Sequence, residues 1–140
     1  MSITILLVED SPTDAAILEA AFEQVGCQWP IQLAQTGDEA LNVLKNISYD
    51  TCSSSLLILL DLNLRGITGY DVLEAIKQNS VWQIIPTIIL SSSNAPHDID
   101  KSYRLHANAY ITKPANFTGY TLIAQKIQDF WLNTAKLPVE

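Results

Sequence analysis

Basic residues are scarce in this chain: eight Lys and Arg stand against fifteen Asp and Glu over 140 residues, a net charge of −7. The eight are scattered, with no run among them. A nucleic-acid surface needs clustered Lys and Arg to neutralise phosphates, so that class of function is excluded. Long apolar runs are lacking too. None approaches the roughly 20 residues needed to cross a bilayer, and the start MSITILLVED has no basic segment and meets acids at once, unlike a secretion signal. Cysteine is limited to Cys27 and Cys52, without CxxC spacing. With no export signal both read as free thiols in a reducing cytosol, each in the place of a small apolar residue. His97 and His106 lack partners at metal-ligand spacing and read as solvated loop or helix-end residues. Internal repeats and low-complexity linkers are absent; residues 48–55 (SYDTCSSS) form a polar loop of ordinary length.

What is present is 48% hydrophobic residues, enough for a normal core in a chain whose length fits one domain. Ile3 to Val8 and Leu56 to Leu60 are continuous apolar runs, Thr87 to Leu90 follows Pro86, and Ala109 to Ile111 is a shorter run. Such runs suit strands covered on both faces. Ile31 to Ala34 alternates, as an edge strand does. Helical stretches lie between them. Ser11-Pro12-Thr13-Asp14 opens the first, with Ser as N-cap, Pro at the first helical position and Asp at the third, and Gly26 stops it. The others run from Asp38 to about Ile47, Tyr70 to Gln78, Asp98 to about Leu105, and Phe117 to Ala135 after the cap Asn116. Strict alternation with short links predicts an α/β fold: a doubly wound five-stranded parallel sheet, βα repeated five times.

Such sheets bind ligands beyond the carboxyl ends of their strands. Glu9 and Asp10 follow the first strand, Asp61 the third, Ser91 the fourth, and Lys113-Pro114 the fifth. Three close carboxylates raise one another's pKa, and a divalent cation resolves the repulsion. Mg²⁺ fits, with Asp10, Asp61 and the backbone carbonyl near Asn63 as protein ligands, Glu9 holding a metal-bound water, and Lys113 supplying the remaining positive charge. The set suits phosphoryl chemistry: Asp61 as nucleophile, the metal and Lys113 neutralising the transferred oxygens, and Ser91 donating to a phosphoryl oxygen.

These residues resemble the receiver domain of two-component response regulators. The pattern is Glu9-Asp10, Asp61 in LLDLNL, Ser91 ending IPTIILS, and Lys113-Pro114 in ANAYITKP. The likeness covers about Ile3 to Trp131, so residues 1–140 read as a single receiver with a tail over 132–140. The resemblance implies that the acidic pair binds Mg²⁺, that Asp61 accepts a phosphoryl group from a histidine kinase, that Ser91 senses it and that Lys113 contacts it. It also implies Tyr110 as the aromatic switch residue and a cis peptide bond before Pro114. The tail IQDFWLNTAKLP, the loops SYDTCSSS and SSSNAPHDID, and the end of the chain after one receiver are similar to the small regulators paired with cyanobacterial phytochromes. That likeness implies a light-regulated histidine kinase as partner and a homodimer formed through helix four, strand five and helix five. Two departures stand out. Glu9 occupies a position where Asp is commoner, and Ser92 follows the switch residue where Ala or Gly is usual, which would slow access to Asp61.

In the last helix, Tyr120, Ile123, Ile127 and Phe130 share one face and should pack on the sheet. Leu132 lies opposite and Trp131 at the margin, which makes them interface candidates, together with Phe130 and Tyr103. The alternative is a tail that folds back, with Leu137 and Val139 covering them. The functional expectation is a phosphoacceptor that switches protein–protein contacts rather than an enzyme, with no further output domain. Alternatives are a phosphorylation-independent adaptor or a phosphoryl shuttle in a relay. A phosphatase using Asp61 would need a general acid two residues on, where Asn63 stands. A flavin module would need a phosphate-cradling loop where Glu9-Asp10 would repel phosphate.

Overall fold

The computed structural model describes residues 2–47 and 54–138. Cys52, most of the SYDTCSSS loop and Val139 lie outside the described residues. The order is β1 (Ser2–Val8), α1 (Pro12–Gln24), β2 (Ile31–Ala34), α2 (Gly37–Ile47), β3 (Ser54–Leu60), α3 (Gly69–Gln78), β4 (Thr87–Ser91), α4 (Pro96–Arg104), β5 (Ala109–Thr112) and α5 (Phe117–Ile127). A short 3₁₀ turn, Trp82–Ile84, precedes β4. The five strands form one parallel sheet in the order β2-β1-β3-β4-β5, the doubly wound flavodoxin-like arrangement. Among the described residues, no helix is long and apolar enough to cross a membrane.

The unbroken apolar runs follow from this order, because β1, β3 and β4 are covered on both faces. Ile5, Leu7, Leu57, Leu59 and Ile88 face α1 and α5, where Leu18, Phe22, Ala124 and Ile127 meet them. Leu6, Val8, Ile58, Leu60 and Ile89 face α2 and α3, against Ala40, Leu44, Val72 and Ile76. Truncating a fully buried aromatic such as Phe22 to Ala costs about 3–5 kcal/mol in sites of this kind. β2 lies at one edge, as its alternation predicts, and β5 at the other.

Two expectations are corrected. The last helix does not keep α-helical winding to Ala135: from Gln128 to Leu132 it is a π turn, with Asn133 N–H donating to Gln128 O and Ala135 N–H to Phe130 O. The wider turn places Leu132, five residues after Ile127, where an α-helix would place the fourth. Leu132 is therefore buried with Leu137 in the α1–α5 layer, and Trp131 packs partly against it. Leu132 is not a surface residue, and Phe130, expected on the sheet, is 53% exposed with its ring edge-on to Trp131. Second, among the described residues there is no cis peptide bond, so the bond before Pro114 is trans. Trans is the intrinsically favoured isomer, and Pro114 lies against Gly119 in the first turn of α5. The start of α1 is as expected, with Ser11 as N-cap, Pro12 in the first helical position and Asp14 in the first turn, but Asp14 does not close a reciprocal cap. Ser11 Oγ accepts from Asp14 N–H (3.2 Å), but the Ser11 amide donates to Glu9 Oε2 (3.3 Å) and leaves the Asp14 carboxylate free for other work.

Candidate functional site

Strand register brings the acids together. Val8 pairs with Leu60, so the two chains leave the sheet at the same level, where the strand order reverses between β1 and β3. Asp61 N–H donates to Val8 O and Glu9 N–H to Ala34 O, each at 3.0 Å, which extends the ladder past the strands and fixes both backbones. Glu9 and Asp61 are buried and Asp10 half-buried, and one oxygen from each lies within 4.8 Å of the others. Asn63 N–H donates to Asp61 Oδ1 (3.3 Å), while the Asn63 side chain is exposed. Arg65, on the solvent side, pairs with Asp10 at 3.6 Å.

Lys113 enters from β5. Ser91 pairs with Thr112, and Lys113 N–H donates to Ser91 O at 2.7 Å, so the two residues share one backbone junction. The Lys113 ammonium donates to Glu9 Oε1 (2.7 Å), Asp14 Oδ2 (2.8 Å) and Asp61 Oδ2 (3.3 Å). Burial works to lower its pKa, but the bonds from Asp14 and Glu9 prevail and hold it above the ordinary lysine value. Burial pushes Glu9 up to about 7; the adjacent Asp61 adds to this and Lys113 opposes it. One ammonium does not balance Glu9, Asp10, Asp14 and Asp61. A donor set of carboxylate oxygens, two buried and one half-buried, converging within 4.8 Å, fits a hard divalent cation.

Ser91 is buried, and its Oγ accepts from Ser93 N–H (3.2 Å). Ser93 opens a network that the sequence did not disclose. Its Oγ donates to Asp98 Oδ2 and Tyr70 OH donates to Asp98 Oδ1, both at 2.5 Å. Tyr110 OH donates to Ser93 O (2.8 Å). Lys101 lies 4.2 Å over the Tyr70 ring. Asp98, at the start of α4, thus ties α3 to the β4–α4 loop, and Tyr110 in β5 is tied to that loop as well. Tyr103 is exposed on α4, and its hydroxyl accepts from Tyr110 N–H (3.1 Å).

The structure gathers Glu9, Asp10, Asp61 and Lys113, and ties Ser91 at the end of β4 and Tyr110 in β5 to Ser93 of the adjoining loop. Asp14 and Gly69 were missed. Asp14 looked like a helix-start acid, and no sequence signal separates it from one. Gly69 lies where a β-carbon would run into Asp61 O and Leu62 Cα. A glycine eight residues after an acid at a strand end was the available hint.

The fold and its acidic site define a receiver, and comparison with known proteins agrees. The response regulator receiver domain family matches residues 5–124, and the chain belongs to that family. It is 36% identical to response regulator Rcp1 of Synechocystis sp., over 96% of this chain and 92% of the relative. It is 32% identical to the probable methanogenesis regulatory protein FilR2 of Methanothrix harundinacea, over 96% and 86%. Among solved structures, the phosphorylated cyanobacterial phytochrome response regulator RcpA matches with a TM-score of 0.88, 38% identity and 99% coverage of both chains. The Mn²⁺-bound form of Rcp1 matches at 0.84, with 35% identity over 97% and 99%. The chain is thus a receiver-domain response regulator homologous to phytochrome response regulators.

Proposed function

We propose that Asp61 accepts a phosphoryl group from a histidine kinase and that the modification switches protein–protein contacts. The observation that carries this reading is the placement of Asp61. Its carboxylate is buried at a strand end, with Oδ1 oriented by the Asn63 amide and Oδ2 within 3.3 Å of the Lys113 ammonium. An Asp61 oxygen attacks phosphorus as the donor's bond to phosphorus breaks, and the donor carries away that electron pair. Lys113 faces the oxygens that gather charge, and the Ser91 hydroxyl donates to one of them. Glu9, Asp10, Asp61 and the Asn63 carbonyl would hold Mg²⁺, which when bound offsets the charge of the carboxylates and the phosphoryl group. The kinship with RcpA supports a phytochrome-type kinase as the donor.

Ser91 moving toward the phosphoryl group would pull on Ser93, and through it on Tyr110 and Asp98. That couples the site to the elements α4, β5 and α5, where Tyr103 on α4 and Leu122 on α5 are exposed. A second copy of the chain is the partner we assign to those elements. The test is incubation with acetyl phosphate and Mg²⁺, followed by intact mass and gel-filtration volume for wild type and Asp61→Asn. A phosphoryl adduct on wild type alone, with an earlier elution, is the expected result. Absence of the adduct under conditions that modify a control receiver would sink the phosphoacceptor reading and favour an adaptor. An adduct without a change in elution would sink the homodimer.

A further inference from the structure

We propose that Asp14 is the positioning residue for Lys113, holding its ammonium at the mouth of the site while a cation and a phosphoryl group draw on the other acceptors. This rests on the phosphoacceptor reading of Asp61. Two helices of the chain begin alike, with a hydroxyl at the N-cap and Asp three residues on. At α3 the pattern closes on itself: Asp71 Oδ2 accepts from Thr68 N–H (2.9 Å) and from Thr68 Oγ1 (3.0 Å). At α1 it does not. The Ser11 amide goes to Glu9, and the carboxylate of Asp14 turns to Lys113 at 2.8 Å. Local helix chemistry would be satisfied by the α3 arrangement. The departure at α1 gives up a local bond for one that spans 99 residues of chain.

An ammonium has three hydrogens, and Glu9, Asp14 and Asp61 take all three. Glu9 and Asp61 also belong to the carboxylate cluster that fits a cation; Asp14 does not. A cation at that cluster competes with Lys113 for the oxygens of Glu9 and Asp61, and a phosphoryl group on Asp61 takes one of those oxygens into a covalent bond. Asp14 is the acceptor that neither event consumes. It is also rigidly held, because α1 is anchored one residue later by Ala15 and again by Leu18 in the core. Lys113, only 8% exposed, then meets the phosphoryl oxygens from a fixed side rather than swinging on a four-carbon stem.

The test is the rate of adduct formation from acetyl phosphate across Mg²⁺ concentrations, for wild type, Asp14→Ala, Asp14→Asn, Asp14→Glu, Lys113→Met and the Asp14→Ala/Lys113→Met pair. Loss of a positioning, charge-assisted bond should slow Asp14→Ala about tenfold at saturating Mg²⁺. The half-saturating Mg²⁺ concentration should stay within about twofold, since Asp14 is not a ligand, and Asp14→Glu should recover part of the rate. In the Lys113→Met background, Asp14→Ala should add nothing. Unfolding midpoints establish that each variant folds, and the isosteric Asp14→Asn replaces Asp14→Ala if that one does not. An Asp14 effect that persists in full without Lys113, or one that lies wholly in the Mg²⁺ requirement, overturns the proposal. A wild type that forms no adduct overturns instead the phosphoacceptor reading on which it rests.

Discussion

At the scale of single residues, one missing methyl group decides how closely α3 approaches Asp61. Gly69 N–H donates to Leu62 O at 3.0 Å, and its Cα lies so near the Asp61 carbonyl that no side chain fits between them. Backbone atoms give way far less easily than side chains. Gly69→Ala should therefore destabilise the fold by about 1–3 kcal/mol, as overpacking does, and slow phosphoryl uptake by shifting Asp61. Urea unfolding and adduct rates check this; an unaltered adduct rate would show that the strand end holds Asp61 without help from α3. The contrast with Asp61 itself is instructive about sequence. Glu9, Asp10, Asp61 and Lys113 could be read because each follows an apolar run, and parallel strands bring their ends to one edge. Asp14 and Gly69 could not, because their roles are set by which distant atoms arrive beside them.

At the scale of elements, the π turn after α5 carries the largest difference from expectation. A constant 100° per residue puts Leu132 outside and Phe130 inside; one extra residue in the last turn exchanges them. Hydrophobic periodicity carries no mark of a change in winding, and the apolar Leu137 and Val139 further on were the hint that the tail returns to the core. Leu132→Ala should cost about 2–5 kcal/mol of stability, as for other buried leucines, whereas Phe130→Ala should stay within about 0.5 kcal/mol. Equal losses in urea unfolding would contradict the π turn.

The clasp at the start of α4 predicts a pH response. Bonds from Ser93 and then Tyr70 hold the Asp98 carboxyl below its ordinary value of 3.8, while burial, reinforced by the bond to Asp98, pushes the Tyr70 phenol up. A carboxyl depressed on folding contributes stability that is present above its unfolded pKa and is lost as pH falls through the folded one. Between about pH 5 and pH 3, wild type should therefore lose more stability than Asp98→Asn, which has no such proton to bind. Parallel pH curves for the two would show that the clasp does not stabilise the fold.

At the scale of the whole molecule, the architecture was the most legible part. Apolar runs without alternation require a sheet covered on both faces, and the alternating IQLA segment has one face to spare, which is why it ends up at an edge. Five strands joined by helices in strict alternation leave few topologies once crossovers are right-handed. Interface candidates were the least legible, because exposure depends on how the last turns wind and not on composition.

The other edge of the sheet is β5, and an outer strand offers its unpaired amides to any neighbouring chain. Here the Tyr103 hydroxyl, reaching over from α4, occupies the outward amide of Tyr110. The side chain acts as a stopper on a surface that would otherwise template further strands. Strand addition at β5 would first have to displace that hydroxyl, so contacts on that side fall more readily to side chains than to backbone.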